Sequence, residues 1–151
     1  MTVRFLAGNV LKVSVAAGSS AYALMLEKRP YIAFYAGGEG AGGDLPDLAK
    51  PPAFIVAVAK SAYSGGRWGD VLGRVSKDSL PAIPQFFRQN VMDPSDCEIV
   101  EADGQTRKAS PADCVDLERS AVWSAEHIEK RLGDYFAGRP NAFVESMRVK
   151  L

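Results

Sequence analysis

The chain has 151 residues, 47% of them hydrophobic and 24% charged, with 18 Lys+Arg against 18 Asp+Glu. This usage excludes intrinsic disorder and a fibrous repeat, and a chain of this length is expected to fold as one domain over residues 1–151 without a disulfide or a metal. No apolar run reaches the roughly 18 residues that cross a bilayer, and a zero net charge lacks the basic excess of a dedicated nucleic-acid or anionic-membrane binder.

Arg4 and Phe5-Leu6-Ala7 open the chain, but Asn9 and Lys12 break the apolar stretch that a signal peptide needs, so the expected compartment is the cytoplasm. Val10 to Ala16 reads as a strand, with Leu11, Val13 and Val15 on one side and Lys12 and Ser14 on the other. After the turn at Gly18-Ser19-Ser20, residues 21–26 and the aromatic run Tyr31 to Ala36 predict two more strands of an antiparallel meander. Gly37 to Pro52 reads as a loop, and Phe54 to Val58 as a central strand buried on both faces. A turn at Ser64-Gly65-Gly66 leads into a predicted strand over Arg67 to Val75, bent at its glycines. Pro81 and Pro84 keep the next stretch irregular, although Phe86 and Phe87 need shelter. Glu98 to Glu101 and Thr106 to Ala109, joined by Asp103-Gly104, predict a hairpin with a type I′ turn.

The period then changes. Ser124 is placed to cap a helix whose first turn carries Glu126. Ile128, Leu132, Tyr135 and Phe136 form its apolar stripe, Gly138 stands at the C′ position and Pro140 prevents continuation. Glu129, Lys130 and Asp134 read as its solvated face. Phe143, Met147 and Val149 suit a last strand, or a short helix followed by one. The fold class expected is therefore α+β: a mainly antiparallel, strongly bent sheet or partly open barrel, with one main C-terminal helix packed on it.

The chemistry-bearing residues are few. Residues 38–43 spell G-x-G-x-x-G, but prolines rather than a helix follow, so no dinucleotide cofactor is expected. His127, the only histidine, has no partners at metal-ligand spacing, so no metal is expected either. Cys97 and Cys114 read as reduced, partly buried thiols, with a single disulfide between them left open. A cysteine-type hydrolase would take Cys114 as nucleophile, His127 as base and Glu118 or Asp116 to orient it; no Gly-rich elbow or helix N-terminus at either cysteine supports that. Trp68 with Arg67, and Trp123, are candidate anchors for a partner; core packing is equally open for Trp68 and is the first reading for Trp123, as a staple ahead of the helix. Charge is uneven: residues 93–118 sum to −6 and residues 60–88 to +3. The two segments either pair with each other, or the acidic one steers a basic partner, or it is simply solvated surface.

The order Gly8-Asn9-Val10-Leu11-Lys12-Val13, Pro52 and Phe54, Gly66-Arg67-Trp68 with Val71-Leu72-Gly73, Leu117-Glu118, Ala121-Val122-Trp123, Glu126-His127-Ile128-Glu129, Arg131-Leu132 and Gly138-Arg139-Pro140-Asn141 resembles the immunity protein 26 family of bacterial polymorphic toxin systems. It spans nearly the whole chain, and the run from Trp123 to Leu132 is its most specific piece. Where members of that family often carry an acidic residue after the first glycine, Asn9 stands here. The resemblance implies a cytoplasmic, non-enzymatic antidote that binds and occludes a cognate protein toxin, with no membrane or direct nucleic-acid partner. If that toxin is a nuclease, its basic cleft would meet the acidic 93–118 run. Residue chemistry nominates Arg67, Trp68, Asp96, Glu98, Glu101, Glu118, Trp123, Glu126 and His127 as the partner-binding set. The alternatives are the hydrolase above and a β-barrel ligand or nucleic-acid module reading through Arg67 and Trp68.

Overall fold

A computed structural model describes residues 2–15, 18–37 and 45–151. In chain order its elements are β1 (Asn9–Ser14), β2 (Ser20–Met25), β3 (Tyr31–Ala36), β4 (Phe54–Val58), α1 (Ser61–Ser64), β5 (Gly73–Arg74), β6 (Phe86–Gln89), β7 (Cys97–Val100), β8 (Thr106–Ala109), β9 (Glu118–Arg119), β10 (Val122–Trp123), α2 (Ala125–Phe136) and α3 (Ala142–Ser146). The fold is α+β, as expected, with α2 the main helix near the C-terminus. The strands form two mostly antiparallel sheets, and neither closes into a barrel. The glycine motif at 38–43 lies outside the described residues.

The chain divides into two compact units, Met1–Ala82 with Val122–Asn141, and Ile83–Ala121 with Ala142–Leu151. In the first, the strand order is β10-β4-β3-β2-β1-β5. The predicted meander β1-β2-β3 continues antiparallel into β4, while β10 joins β4 in parallel. The strands buried on both faces are β2 and β3, not β4. Ala21 through Met25 and Ile32 through Tyr35 are all buried, because each strand is apolar at odd and even positions alike. β4 lies one place from the sheet edge, so Ile55 and Ala57 stay half-exposed while Phe54, Val56 and Val58 are covered. Phe34 and Phe54 are cross-strand partners with ring centroids 5.0 Å apart, and Trp68 stands edge-on to Phe34 at 5.8 Å.

The strand predicted over 67–75 shrinks to the two residues of β5. Gly66 and Gly69 adopt φ of +87° and +74°, and the Gly69 amide bonds back to the Gly66 carbonyl at 3.0 Å. That left-handed backbone makes a tight turn, which no extended strand can contain.

Helix α2 follows its sequence signals closely. The Ser124 hydroxyl accepts from the His127 amide, and Ile128 and Leu132 are fully buried. Gly138, at φ +68°, donates to the Tyr135 carbonyl and the Arg139 amide to the Asp134 carbonyl. Those two bonds make a Schellman ending, whose left-handed C′ position glycine fills without strain. The stripe departs from expectation at one point. Tyr135 is 53% exposed and Asp134 is buried in its stead. Asp134 accepts from Arg139 at 2.7 Å, Asn141 at 2.8 Å and Lys130 at 2.9 Å. A carboxylate near a helix C-terminus opposes the dipole, and these three donors offset that.

The second unit carries the sheet β8-β7-β6-β9 over a small core of Phe87, Cys97, Ile99 and Cys114, against which Ala109, Leu117 and Val149 pack. Phe86 and Phe87 find their shelter as strand β6, which the flanking prolines conceal in the sequence. The β7–β8 hairpin forms as expected, but its turn is not type I′. The Gly104 amide bonds to the Glu101 carbonyl, so Ala102 and Asp103 are the central pair and Gly104 follows at φ +90°. This is the three-residue connection, a turn plus a left-handed residue. The tail forms the short helix α3, not a strand, and continues as a strap. The Gln89 side chain donates to the Lys150 carbonyl at 2.6 Å and accepts from its amide at 3.0 Å, while Arg119 Nε donates to the Met147 carbonyl.

Candidate functional site

Arg67, Trp68, Trp123, Glu126 and His127 belong to the first unit, and Asp96, Glu98, Glu101 and Glu118 to the second.

In the first unit the Gly66–Gly69 turn presents two large side chains that meet on Glu129 but differ in burial. Trp68 goes into the core and is 3% exposed. Arg67 reaches α2, where Nε and Nη2 each donate to the Glu129 carboxylate at 2.8 Å. Trp68 Nε1 donates to the same carboxylate at 3.0 Å, and Glu126 lies 3.8 Å from Arg67. The Arg67 and Trp68 hydrogen bonds hold the Glu129 carboxyl below its usual range. Glu129 therefore organises the cluster, although its place on the outer face of the helix reads as solvent in the sequence. Trp123 is 1% exposed. Arg131 sits 5.0 Å over its ring and 3.8 Å over Phe54, and the His127 ring meets it edge-on at 6.5 Å. Both indoles thus act as core, and the exposed members of the set are Arg67, Glu126 and His127.

In the second unit much of the acidic run is engaged locally. Glu98 faces Lys108 on β8 and Arg88 on β6, and Lys108 Nζ lies 2.8 Å from Asp96 and 3.9 Å from Glu98. Hydrogen bonds from Lys108 and Asn90 lower the Asp96 carboxyl from its usual value. Glu101 accepts from Gln85 at 2.6 Å. Asp113 and Ser110 form a capping box around the turn Pro111–Cys114. Glu118 opens β9 and is half-buried.

Among the described residues, the most exposed apolar side chains flank none of the predicted residues but Asp96. Val91 and Met92, each 91% exposed, stand at the tip joining β6 to β7. The tip is tied down from within. Asn90 Oδ1 accepts from the Met92 and Asp93 amides at 2.9 and 3.3 Å, and the Asn90 amide bonds to the Asp96 carbonyl. Asp93 Oδ1 accepts from the Ser95 amide and hydroxyl, and Gln89 donates to the Pro94 carbonyl. The only sequence signal for it is a Val-Met pair bracketed by Asn90 and Asp93-Pro94. In the first unit a cavity of about 500 Å³ is lined by Tyr22, Tyr35, Tyr135, Asp47 and Lys50; burial pushes the Tyr35 phenol up.

The hydrolase residues divide between the units, with Cys114 and Glu118 in the second and His127 in the first. The Cys114 thiol is fully buried and donates to the Ser110 carbonyl at 3.5 Å. Burial pushes it up, away from thiolate. Among the described residues no group of three or more His, Cys, Asp or Glu could hold a metal ion, and no helix is long and apolar enough to cross a membrane.

Compared with family models, with curated proteins and with solved structures, the chain gives no match in any of the three.

Proposed function

We propose that this chain is a cytoplasmic antidote of a polymorphic toxin system, a binding protein that occludes a cognate protein toxin and transforms no substrate itself. The single observation that carries the reading is the β6–β7 tip. Two apolar side chains are held fully in solvent by a loop whose own hydrogen bonds fix its shape. Exposing a contiguous apolar pair costs solubility unless a partner covers it, and a loop already ordered loses little entropy on docking. The residues from Trp123 to Leu132 support the family reading, though Glu129 and Arg131 in that run also have structural work. A partner interface of roughly 1,200–2,000 Å² needs only a few such anchors.

The test is co-expression with the product of the adjacent reading frame, which this reading takes to be the toxin. The wild-type chain restores growth, and the V91D/M92D double substitution weakens binding about 30-fold or more, the effect of losing a 2 kcal/mol hot spot. Cells that die equally with and without the wild-type chain overturn the antidote reading. Full rescue by the double variant keeps that reading and removes the tip from it.

A further inference from the structure

The two cysteines are the remaining reactive groups in the second unit, and the fold brings them together. Cys97 opens β7 and is the cross-strand partner of Ala109, the last residue of β8. The chain then turns through Ser110 and the one-turn segment Pro111–Cys114, which returns Cys114 to the same core. Both thiols belong to the one buried cluster that Phe87 and Ile99 complete, and Cys97 is among the groups that raise Cys114 above its usual value. Each also donates to a carbonyl of its own turn, Cys97 Sγ to Pro94 at 3.6 Å and Cys114 Sγ to Ser110 at 3.5 Å. Both are unpaired and buried. In the sequence they are separated by 16 residues and nothing marks them as neighbours.

We propose that Cys97 and Cys114 are a covalent modification site, a dithiol that hydrogen peroxide oxidises to an intramolecular disulfide. One sulfur, as thiolate, attacks a peroxide oxygen. The S–O bond forms, the O–O bond breaks, and the departing hydroxide leaves as water with a proton from solution. The second sulfur then attacks the sulfenic sulfur. The S–S bond forms, the S–O bond breaks, and a second water leaves. Two thiols lose two electrons and one hydrogen peroxide accepts them, with no other reactant. Burial and the neighbouring thiol both raise Cys114 above its usual value, so thiolate is scarce at neutral pH and the reaction is slow there. Its rate rises about tenfold per pH unit below the thiol pKa, because only the thiolate reacts.

The experiment treats the folded full-length chain with excess hydrogen peroxide at pH 7, 8 and 9, quenches with a maleimide in denaturant, and measures intact mass. The expected product takes no maleimide, and its two cysteine peptides together are 2 Da lighter than the reduced pair, oxygens gained at Met92 and the other methionines being counted apart. Trypsin then releases residues 89–107 joined to residues 109–119, and reductant separates them. Single substitutions C97S and C114S form no such product and instead gain one or more oxygens or dimerise. The proposal is overturned if both thiols still take maleimide after an exposure that fully oxidises glutathione. It is equally overturned if the wild-type chain gains oxygens on each cysteine without losing 2 Da. A disulfide that forms only in 6 M guanidinium, and not in the folded chain, also overturns it, since the native neighbourhood is then not its cause.

Discussion

The first unit closes around large side chains with almost no exposure, Trp123, Tyr63, Phe34, Leu24 and Ile128 among them, on a six-stranded sheet and a twelve-residue helix. The second has 49 residues, four short strands and six buried hydrophobic side chains, two of them cysteines. Where the first relies on apolar burial, the second relies on polar straps: Gln89 holding Lys150, Arg119 reaching Met147 while lying 4.8 Å over Phe87, and the Ser110–Asp113 box. Small cores bury proportionally less surface and open more readily. The contrast teaches that the second unit is the softer one, and that its loops are ordered by local hydrogen bonds, not by core contacts.

The composition supplies separate probes, because both tryptophans lie in the first unit and both cysteines in the second. The largest expected effect is Phe87→Ala, about 3–5 kcal/mol, enough to open a unit of this size. Cys97 and Cys114 then react with a thiol reagent in native buffer while tryptophan emission stays native. Thiols that remain protected, or emission that shifts with them, would break the contrast. Leu132→Ala costs about 2–5 kcal/mol and lowers the urea midpoint read by tryptophan emission.

Acid sharpens the same comparison. Arg139, Lys130 and Asn141 hold the Asp134 carboxyl far below its usual value, and Arg67 and Trp68 lower Glu129. A lowered carboxyl stabilises the fold fully above its unfolded pKa, near 4, and that stability is lost as pH falls below it. The tryptophan-read urea midpoint is therefore flat from pH 7 to 5 and falls from pH 4 to 2.5. Asp134→Asn lowers the midpoint at pH 7 and makes the acid limb shallower; an unchanged slope would remove Asp134 from the balance. Ser124→Ala, which deletes the N-cap, costs about 1 kcal/mol by the same reading. V91D/M92D is smallest, within about 0.5 kcal/mol for a surface change, which separates its effect on binding from any effect on folding.

Local signals made part of this molecule legible in its sequence. Strands β1 to β3, the hairpin β7–β8 and the helix α2 with its Ser124 cap and Gly138 ending are written in alternation, spacing and end residues that act within a few positions of one another. What the sequence left hidden depends on distant partners. Glu129 reads as solvent until Arg67 and Trp68, 62 and 61 positions away, meet it. Asp134 is the exception, its partners Arg139 and Asn141 standing only 5 and 7 positions away, and it reads as surface until the turn that ends the helix brings them back over it. Trp68 reads as either anchor or core and Trp123 first as core, and the sheet beside them places both in the core. β6 is masked by its prolines, and its neighbours β7 and β9 supply the hydrogen bonds that make it a strand. The amino-acid order alone determined which segments can be helix or strand, because propensity and capping are local. Tertiary structure alone decided which charges are buried, which apolar pair is left in water and which two thiols meet, because burial and pairing are set by residues that only folding brings near.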